Sequence, residues 1–308
     1  MGQVKIGFGV PVSGSWATPA NMVLVAQRAE ALGYHSLWTF QRLLSPMDGA
    51  WGEFYRGVHD PLIPLAFLAG QTRTVRLGVA VLNMPFISPA VVAKELASID
   101  IVSGGRLDAG FGNGWSDEEF AAVGASKSGG GRRADEFLAV VKKAWGADPV
   151  SYEGRYYQVP PCSIEPKPVQ APRPPIYLGG RSPAALRRAG RLCDGWVSPS
   201  QGDPQGLSEA VEVVSEAAAT AGRDPSALRF VIRGAVKVRS ASSPDTGPDR
   251  RPLTGTLDQI KADIAEYASR GAHELFIDLN FDPQIGSPSA DPAASMDRAM
   301  AALEEFAP

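Results

Sequence analysis

Two glycine-rich stretches have the composition to bring backbone close to a large ligand. The first is Gly110-Phe111-Gly112-Asn113-Gly114-Trp115 and the second is Gly179-Gly180-Arg181-Ser182-Pro183. Without a Cβ, glycine lets the chain approach a planar ring or an anion. The Ser-Pro pair predicts a capped helix start, whose first amides face a phosphate. Arg181 adds a fixed cation whose planar fork matches that group. Either stretch alone reads equally as a tight turn with no ligand. Both at one end of a fold point to a binding site.

The usual catalytic side chains are scarce. His35 and His273 each follow a glycine and precede an apolar run, which reads as a structural position. His59 closes a long aromatic-rich link, 41–59, where a lone histidine is more often solvated than catalytic. Even so, His59 and Arg42 are the proton donors of that link, and only histidine titrates near neutral pH, so His59 is the candidate general acid. Trp51, Phe54 and Tyr55 are too apolar for a freely solvated loop. They read either as a wall over a substrate pocket, with Trp16 as neighbour, or as a small satellite core. Cys162 and Cys193 lack paired spacing and read as reduced thiols. There is no metal-ligand spacing, no HExxH and no GxSxG. The acidic runs Asp117-Glu118-Glu119 and Glu304-Glu305 read as solvated helix ends. A site this poor in acids and nucleophiles points to an organic cofactor.

The elements that must position these residues alternate along the chain. Apolar β-branched runs predict strands over 4–10, 36–40, 75–82, 106–112, 176–179, 195–198, 228–238 and 274–279. Amphipathic runs predict helices near 20–32, 61–72, 89–103, 132–145, 183–192, 206–221, 257–270 and 292–306. Thr18-Pro19, Asp60-Pro61, Ser88-Pro89, Ser182-Pro183 and Asp291-Pro292 pair a capping acceptor with proline at the first helical position. Gly33, Gly146, Gly222 and Gly271 stand where helices should end. Eight βα units in unbroken series, with no GxGxxG after the first strand, favour a closed (β/α)8 TIM barrel over an open doubly wound sheet. A hairpin at 150–157 precedes the fifth strand, and 240–252 reads as a loop over the barrel mouth. The series resumes after each interruption, so 1–308 reads as one domain. A barrel binds at the carboxyl ends of its strands, where both glycine stretches fall and where His35 and His273 do not.

With 308 residues and a net charge of −3, the chain shows no basic stripe for nucleic acid or anionic membrane. No apolar run approaches the roughly 20 residues of a membrane span. The start of the chain has no charged n-region, which predicts no secretion signal and a cytoplasmic protein.

Four stretches together resemble the bacterial-luciferase-like flavin and coenzyme F420-dependent oxidoreductases: 77–83, 94–107, 110–115 and 177–182. The likeness runs from Val4 to about Trp196, and 257–278 fits the closing βαβ. The resemblance implies a barrel with an inserted hairpin segment before strand five. It implies a cis peptide at Ala80-Val81 pressing on the back of the cofactor ring. Gln41, Asn83, Gly112, Asn113, Gly114 and Trp115 then face the ring and its chain, and Gly179, Gly180, Arg181 and Ser182 hold the phosphate. Two departures stand out. Gln41 and Arg42 occupy the place of an Asp-His pair common in deazaflavin members, and Trp115 stands where sugar-phosphate-oxidising members carry glutamate. Gln41 can hydrogen-bond but cannot act as a base. The family reading is an F420-dependent enzyme, as a reductase moving hydride from the deazaflavin C5 to a small organic substrate. An FMN-dependent monooxygenase using dioxygen, and a non-catalytic barrel that only binds the cofactor, are the alternatives. The family also implies a homodimer.

Overall fold

The computed structural model describes residues 4–200, 202–239, 247 and 250–308. The strands in chain order are β1 Lys5–Gly9, β2 Ser36–Thr39, β3 Arg76–Asn83, β4 Leu107–Gly112, β5 Val150–Glu153, β6 Gln158–Cys162, β7 Ile176–Gly179, β8 Gly195–Val197, β9 Arg229–Ala235, β10 Lys237–Val238, β11 Thr254–Gly255 and β12 Glu274–Asp278. The helices are α1 Pro19–Ala31, α2 Leu62–Ala69, α3 Pro89–Ser103, α4 Asp117–Ala122, α5 Gly130–Ala144, α6 Pro183–Leu192, α7 Pro204–Thr220, α8 Leu257–Ser269 and α9 Pro292–Glu305. Eight strands close a parallel barrel in the order β1-β12-β9-β8-β7-β4-β3-β2. This is the expected (β/α)8 barrel, and an antiparallel β5–β6 hairpin precedes its fifth strand, β7.

Consecutive apolar residues in the strands serve two layers. One set faces the helices in the main core. The other fills the barrel interior with Trp38, Ala80, Tyr177, Val197, Val231 and Phe276. Trp38 stacks on Phe276 at 5.2 Å and meets Tyr177 edge-on at 6.1 Å. The barrel is therefore packed solid below its mouth.

Local signals placed most boundaries. Thr18, Ser182, Asp203, Thr256 and Asp291 each accept a first-turn amide, and Thr256 forms a full capping box with Gln259. Ser88 stands at the N-cap of α3 without a side-chain hydrogen bond. Helix α2 starts at Leu62, one residue late, because Asp60 Oδ1 takes the Leu62 amide at 3.0 Å. Gly33, Gly222 and Gly271 adopt positive φ, whereas Gly146 follows a right-handed Trp145 and does not. The hairpin runs further than expected, to Cys162, because Glu136 gathers the amides of Arg155, Tyr156 and Tyr157 and so sets the turn. The expected strand 228–238 leaves the barrel at Ala235, and its tail pairs with β11 instead. Most of the expected mouth loop, 240–252, lies outside the described residues.

The amino ends of the strands hold a polar cluster. Glu274 accepts from Ser36 Oγ and from Trp38 Nε1, the latter at 2.7 Å. Arg76 grips Asp108 with Nε at 2.6 Å and Nη2 at 2.8 Å. His35 and His273 lie at this end, as expected: His35 is 3.7 Å from Glu274, and His273 Nδ1 accepts the Phe230 amide. Among the described residues no helix is long and apolar enough to cross a membrane.

Candidate functional site

The carboxyl ends of the strands surround a cavity of about 640 Å³. Its floor is the end of β3. The Ala80–Val81 peptide is cis, as the resemblance implied, and pairing with β4 shifts register between Val79 and Leu82. The Val81 side chain lies against the glycines of neighbouring strands. A Cβ on Gly112 would come within 2.6 Å of Val81 Cγ2, so the close approach of β4 requires glycine there. Gln41 Oε1 accepts the Asn83 amide at 2.8 Å, which ties the end of β2 to that of β3.

A second sector is the turn from β7 into α6. Gly180 takes φ +118, a conformation that side-chained residues rarely adopt, and a Cβ there would meet the Ala185 Cβ at 3.0 Å. Ser182 Oγ caps α6 by accepting the Ala185 amide, and Trp196 Nε1 donates to the Gly180 carbonyl at 2.7 Å. The turn is thus held from both sides while Gly180, Arg181 and Ser182 stay exposed at the rim. Ser198, Pro199 and Ser200 complete this sector.

The third sector is aromatic and cationic. Arg42 Nη1 donates to Glu119 Oε2 at 3.1 Å, and Glu119 Oε1 accepts the Leu43 amide at 2.7 Å. The Arg42 guanidinium lies 5.3, 4.8 and 4.9 Å from the ring centres of Trp51, Tyr55 and Trp115. Burial draws its pKa below the ordinary value, opposed by the Glu119 charge. Arg233, from β9, donates from Nε to Asp278 Oδ2 at 2.9 Å and from Nη1 to the Ala80 carbonyl at 3.2 Å. It lies over the adjoining rings of Phe40 and Phe281, at 4.4 and 4.5 Å from their centres.

The structure brings Gln41, Arg42, Tyr55, Ala80, Val81, Asn83, Gly112, Asn113, Gly114, Trp115, Gly179, Gly180, Arg181 and Ser182 to this one cavity. Four expected residues fall outside its lining. His59 is exposed: its amide donates to the Val12 carbonyl and its Nε2 lies 3.1 Å from the Ala17 carbonyl, so the link folds its ring away from the mouth. The expectation of His59 as general acid is corrected accordingly. Trp16 is wholly buried in the core rather than bordering a pocket. Phe54 packs against Tyr55 and Phe281 at 4.6 and 5.2 Å, and Trp51 sits behind the lining against Trp115 at 4.9 Å. Both therefore follow the satellite-core reading, and of the three link aromatics only Tyr55 reaches the cavity.

Sequence reasoning missed Phe40, Val197, Ser198, Pro199, Ser200 and Arg233. An arginine interrupting Phe230-Val231-Ile232 and Gly234 was the available signal for Arg233. Glu119, read as a solvated helix end, is wholly buried on Arg42. Its place in an acidic run hid it.

Residues 5–244 match the luciferase-like monooxygenase family. The chain belongs to that family. Among its luciferase-like relatives, the FMNH2-dependent dimethylsulfone monooxygenase of Pseudomonas putida is 32% identical over 234 residues, 71% of this chain and 62% of that protein. The F420-dependent glucose-6-phosphate dehydrogenase of Microbacterium testaceum is 29% identical over 67% of this chain and 60% of its own length. The chain thus spans about three fifths of these relatives. The solved monooxygenase RslO1 of Streptomyces bottropensis superposes with a TM-score of 0.79 at 23% identity, covering 98% of both chains. The family holds both FMN- and F420-dependent enzymes.

The cavity fits such a cofactor where Val81 lies against Gly112 and Gly179, a cradle that a Cβ on Gly112 would fill, and it keeps unmatched polar atoms for further ligand groups. Arg42 Nε, Arg233 Nη2 and Asn113 Oδ1 are buried and have no partner in the protein, and all three residues line the cavity. Buried polar atoms are normally satisfied, so these await a ligand.

Proposed function

We propose that this luciferase-like protein is a coenzyme F420-dependent reductase of a small organic substrate. The observation that carries this reading is the lining: it holds three arginines and, among the described residues, no carboxylate and no imidazole. An enzyme that takes hydride from an alcohol must also take the hydroxyl proton, and the lining offers no carboxylate or imidazole for it. Reduction of an acceptor needs no base, only a proton to complete the product, which the Tyr55 hydroxyl of the lining or solvent supplies. The deazaflavin, when bound, supplies a hydride from C5.

The protein's own part is positional. Val81 supports the ring from below, and Gln41 and Asn113 offer hydrogen bonds at its edge. The Gly179–Ser182 turn and Ser198–Ser200 hold the anionic chain, with Arg181 as the cation. That turn lies exposed at the rim, which suits a cofactor whose chain continues past its phosphate, as that of F420 does and that of FMN does not. Trp115 and Tyr55, set on Arg42, roof the ring and exclude water.

The second reading, an FMN-dependent monooxygenase, is favoured by the 32% identity to the Pseudomonas putida enzyme. Fluorescence titration separates the two. Quenching of F420 at micromolar concentration, with FMN binding at least about tenfold weaker, supports the first. The reverse order, with substrate-dependent oxygen uptake, replaces it with the second. Binding without turnover of any acceptor leaves a non-catalytic barrel. Self-association as a homodimer belongs to the same proposal. All eight residues of α2 are apolar, yet Ile63 and Phe67 are 70% and 40% exposed, with Val91 of α3 51% exposed. Light scattering that reports a monomer at micromolar concentration would remove that part.

A further inference from the structure

Arg181 has a ready role on the cofactor's phosphate; Arg42 and Arg233 do not. Each is clamped. Arg233 rests on the adjoining rings of Phe40 and Phe281 and is held on two edges by Asp278 and the Ala80 carbonyl. Arg42 is set among Trp51, Tyr55 and Trp115 and paired with Glu119. Each keeps one buried N–H nitrogen without a partner in the protein, Nη2 of Arg233 and Nε of Arg42. The carboxylates that balance them, Asp278 and Glu119, are buried and do not line the cavity. Both arginines line the cavity, so a ligand entering here meets two clamped cations and none of the acids behind them.

An unpartnered donor on a buried cation is costly unless a ligand supplies the acceptor. A purely apolar substrate would leave both donors unsatisfied. Phosphate brings two negative charges, but each guanidinium is already matched by a carboxylate, so a monoanion suits the local charge better. The aromatic surfaces of Phe40 and Tyr55 beside the donors suit a flat apolar body attached to that anion.

We propose that the substrate carries a carboxylate, bound in the cavity by Arg233 with Arg42 at its flank. This rests on the reading of the cavity as the active site, and its test is separable from that reading. Benzoate and its neutral counterpart benzamide are titrated by calorimetry into the protein with and without saturating F420. The F420 titration alone decides the cofactor. The expected result is that benzoate binds at least about tenfold more tightly than benzamide in the F420-loaded protein. In Arg233→Met that preference is expected to fall below about threefold, with F420 affinity retained. Arg233→Lys keeps a cation beside Asp278 but loses the free edge. It is expected to reduce the preference by at least about fivefold, and it carries the test if the methionine variant does not fold. Equal binding of the two probes overturns the proposal. So does a preference that survives both variants, or one that vanishes when F420 is loaded, since the guanidinium edge would then belong to the cofactor.

Discussion

Four arginines, one buried and three half-buried, divide the barrel into two ends. At the amino ends of the strands, Arg106 donates to the carbonyls of Ser103, Val75, Ala69 and Thr72 and to the Thr72 hydroxyl. Arg76 grips both oxygens of Asp108 and reaches the Leu107 carbonyl and Gln170. Every side-chain nitrogen of Arg106 is engaged, as are Nε and Nη2 of Arg76. At the carboxyl ends, Arg42 and Arg233 also pair with buried carboxylates, yet each keeps one buried nitrogen unengaged. Burial and a salt bridge therefore do not mark a functional arginine. An unmatched donor on a residue that lines a cavity does. The titratable groups divide in the same way: burial pushes Glu274 up to about 7 and His35 down to about 4 at the closed end, while the cavity lining holds no acid or histidine.

The contrast breaks most visibly at the closed end. Arg76→Met strands Asp108 in the interior, and loss of one partner of a buried pair costs about 3–5 kcal/mol. Urea unfolding should show that loss, with cofactor affinity of the folded protein unchanged. A destabilisation below about 1 kcal/mol would put Arg76 on the same footing as a surface pair.

Next in size is a pH effect. Glu274 stays protonated in the fold up to about 7 although an unfolded glutamate ionises near 4.5, so its stabilisation is full below 4.5 and lost as pH rises through 7. His35 stays neutral in the fold down to about 4 although its ordinary value is 6.5, so its contribution is lost as pH falls through that interval. Between these limits the two slopes oppose, and their contributions nearly cancel. In Glu274→Gln the carboxyl no longer opposes the histidine, and from pH 4.5 to 6.5 stability should climb by about 2 kcal/mol relative to the parent protein. Unfolding midpoints at the two pH values measure this; a variant with the parent protein's pH profile would contradict the assignment.

At the open end the effects are on binding. Gly180→Val must force φ +118 on a branched residue and crowd Ala185, which should weaken cofactor binding by more than about tenfold, or about 1.4 kcal/mol. Unchanged affinity in a fluorescence titration would move the phosphate site elsewhere. The smallest effect belongs to His59→Ala. With its ring on the Ala17 carbonyl outside the lining, single-turnover oxidation of reduced cofactor should stay within about a factor of two. A hundredfold loss would return His59 to the chemistry.

Short-range sterics set what could be read along the chain. Alternating strands and helices, proline-headed helix starts at 18–19, 182–183 and 291–292, and the glycine turns at 110–114 and 179–180 are set by residues a few positions apart. They gave the barrel and the ligand-facing end of it, and every glycine of those two cofactor loops from Gly112 onward lines the cavity. Tertiary structure alone decided which polar side chains serve the site. Arg42 and Glu119 are 77 residues apart, and Arg233 and Ala80 are 153 apart. Nothing local distinguishes an arginine whose nitrogens are all engaged from one with an edge to spare, or a glutamate in solvent from Glu119 in the interior. For His59 the local pattern misled, because one amide bond to Val12, 47 positions back, turns the link outward. Hydrogen-bond satisfaction is a property of the closed barrel, where partners distant in the chain meet out of water, and Arg42 and Arg233 stand out as cavity-lining residues with a donor that this closure leaves unmatched.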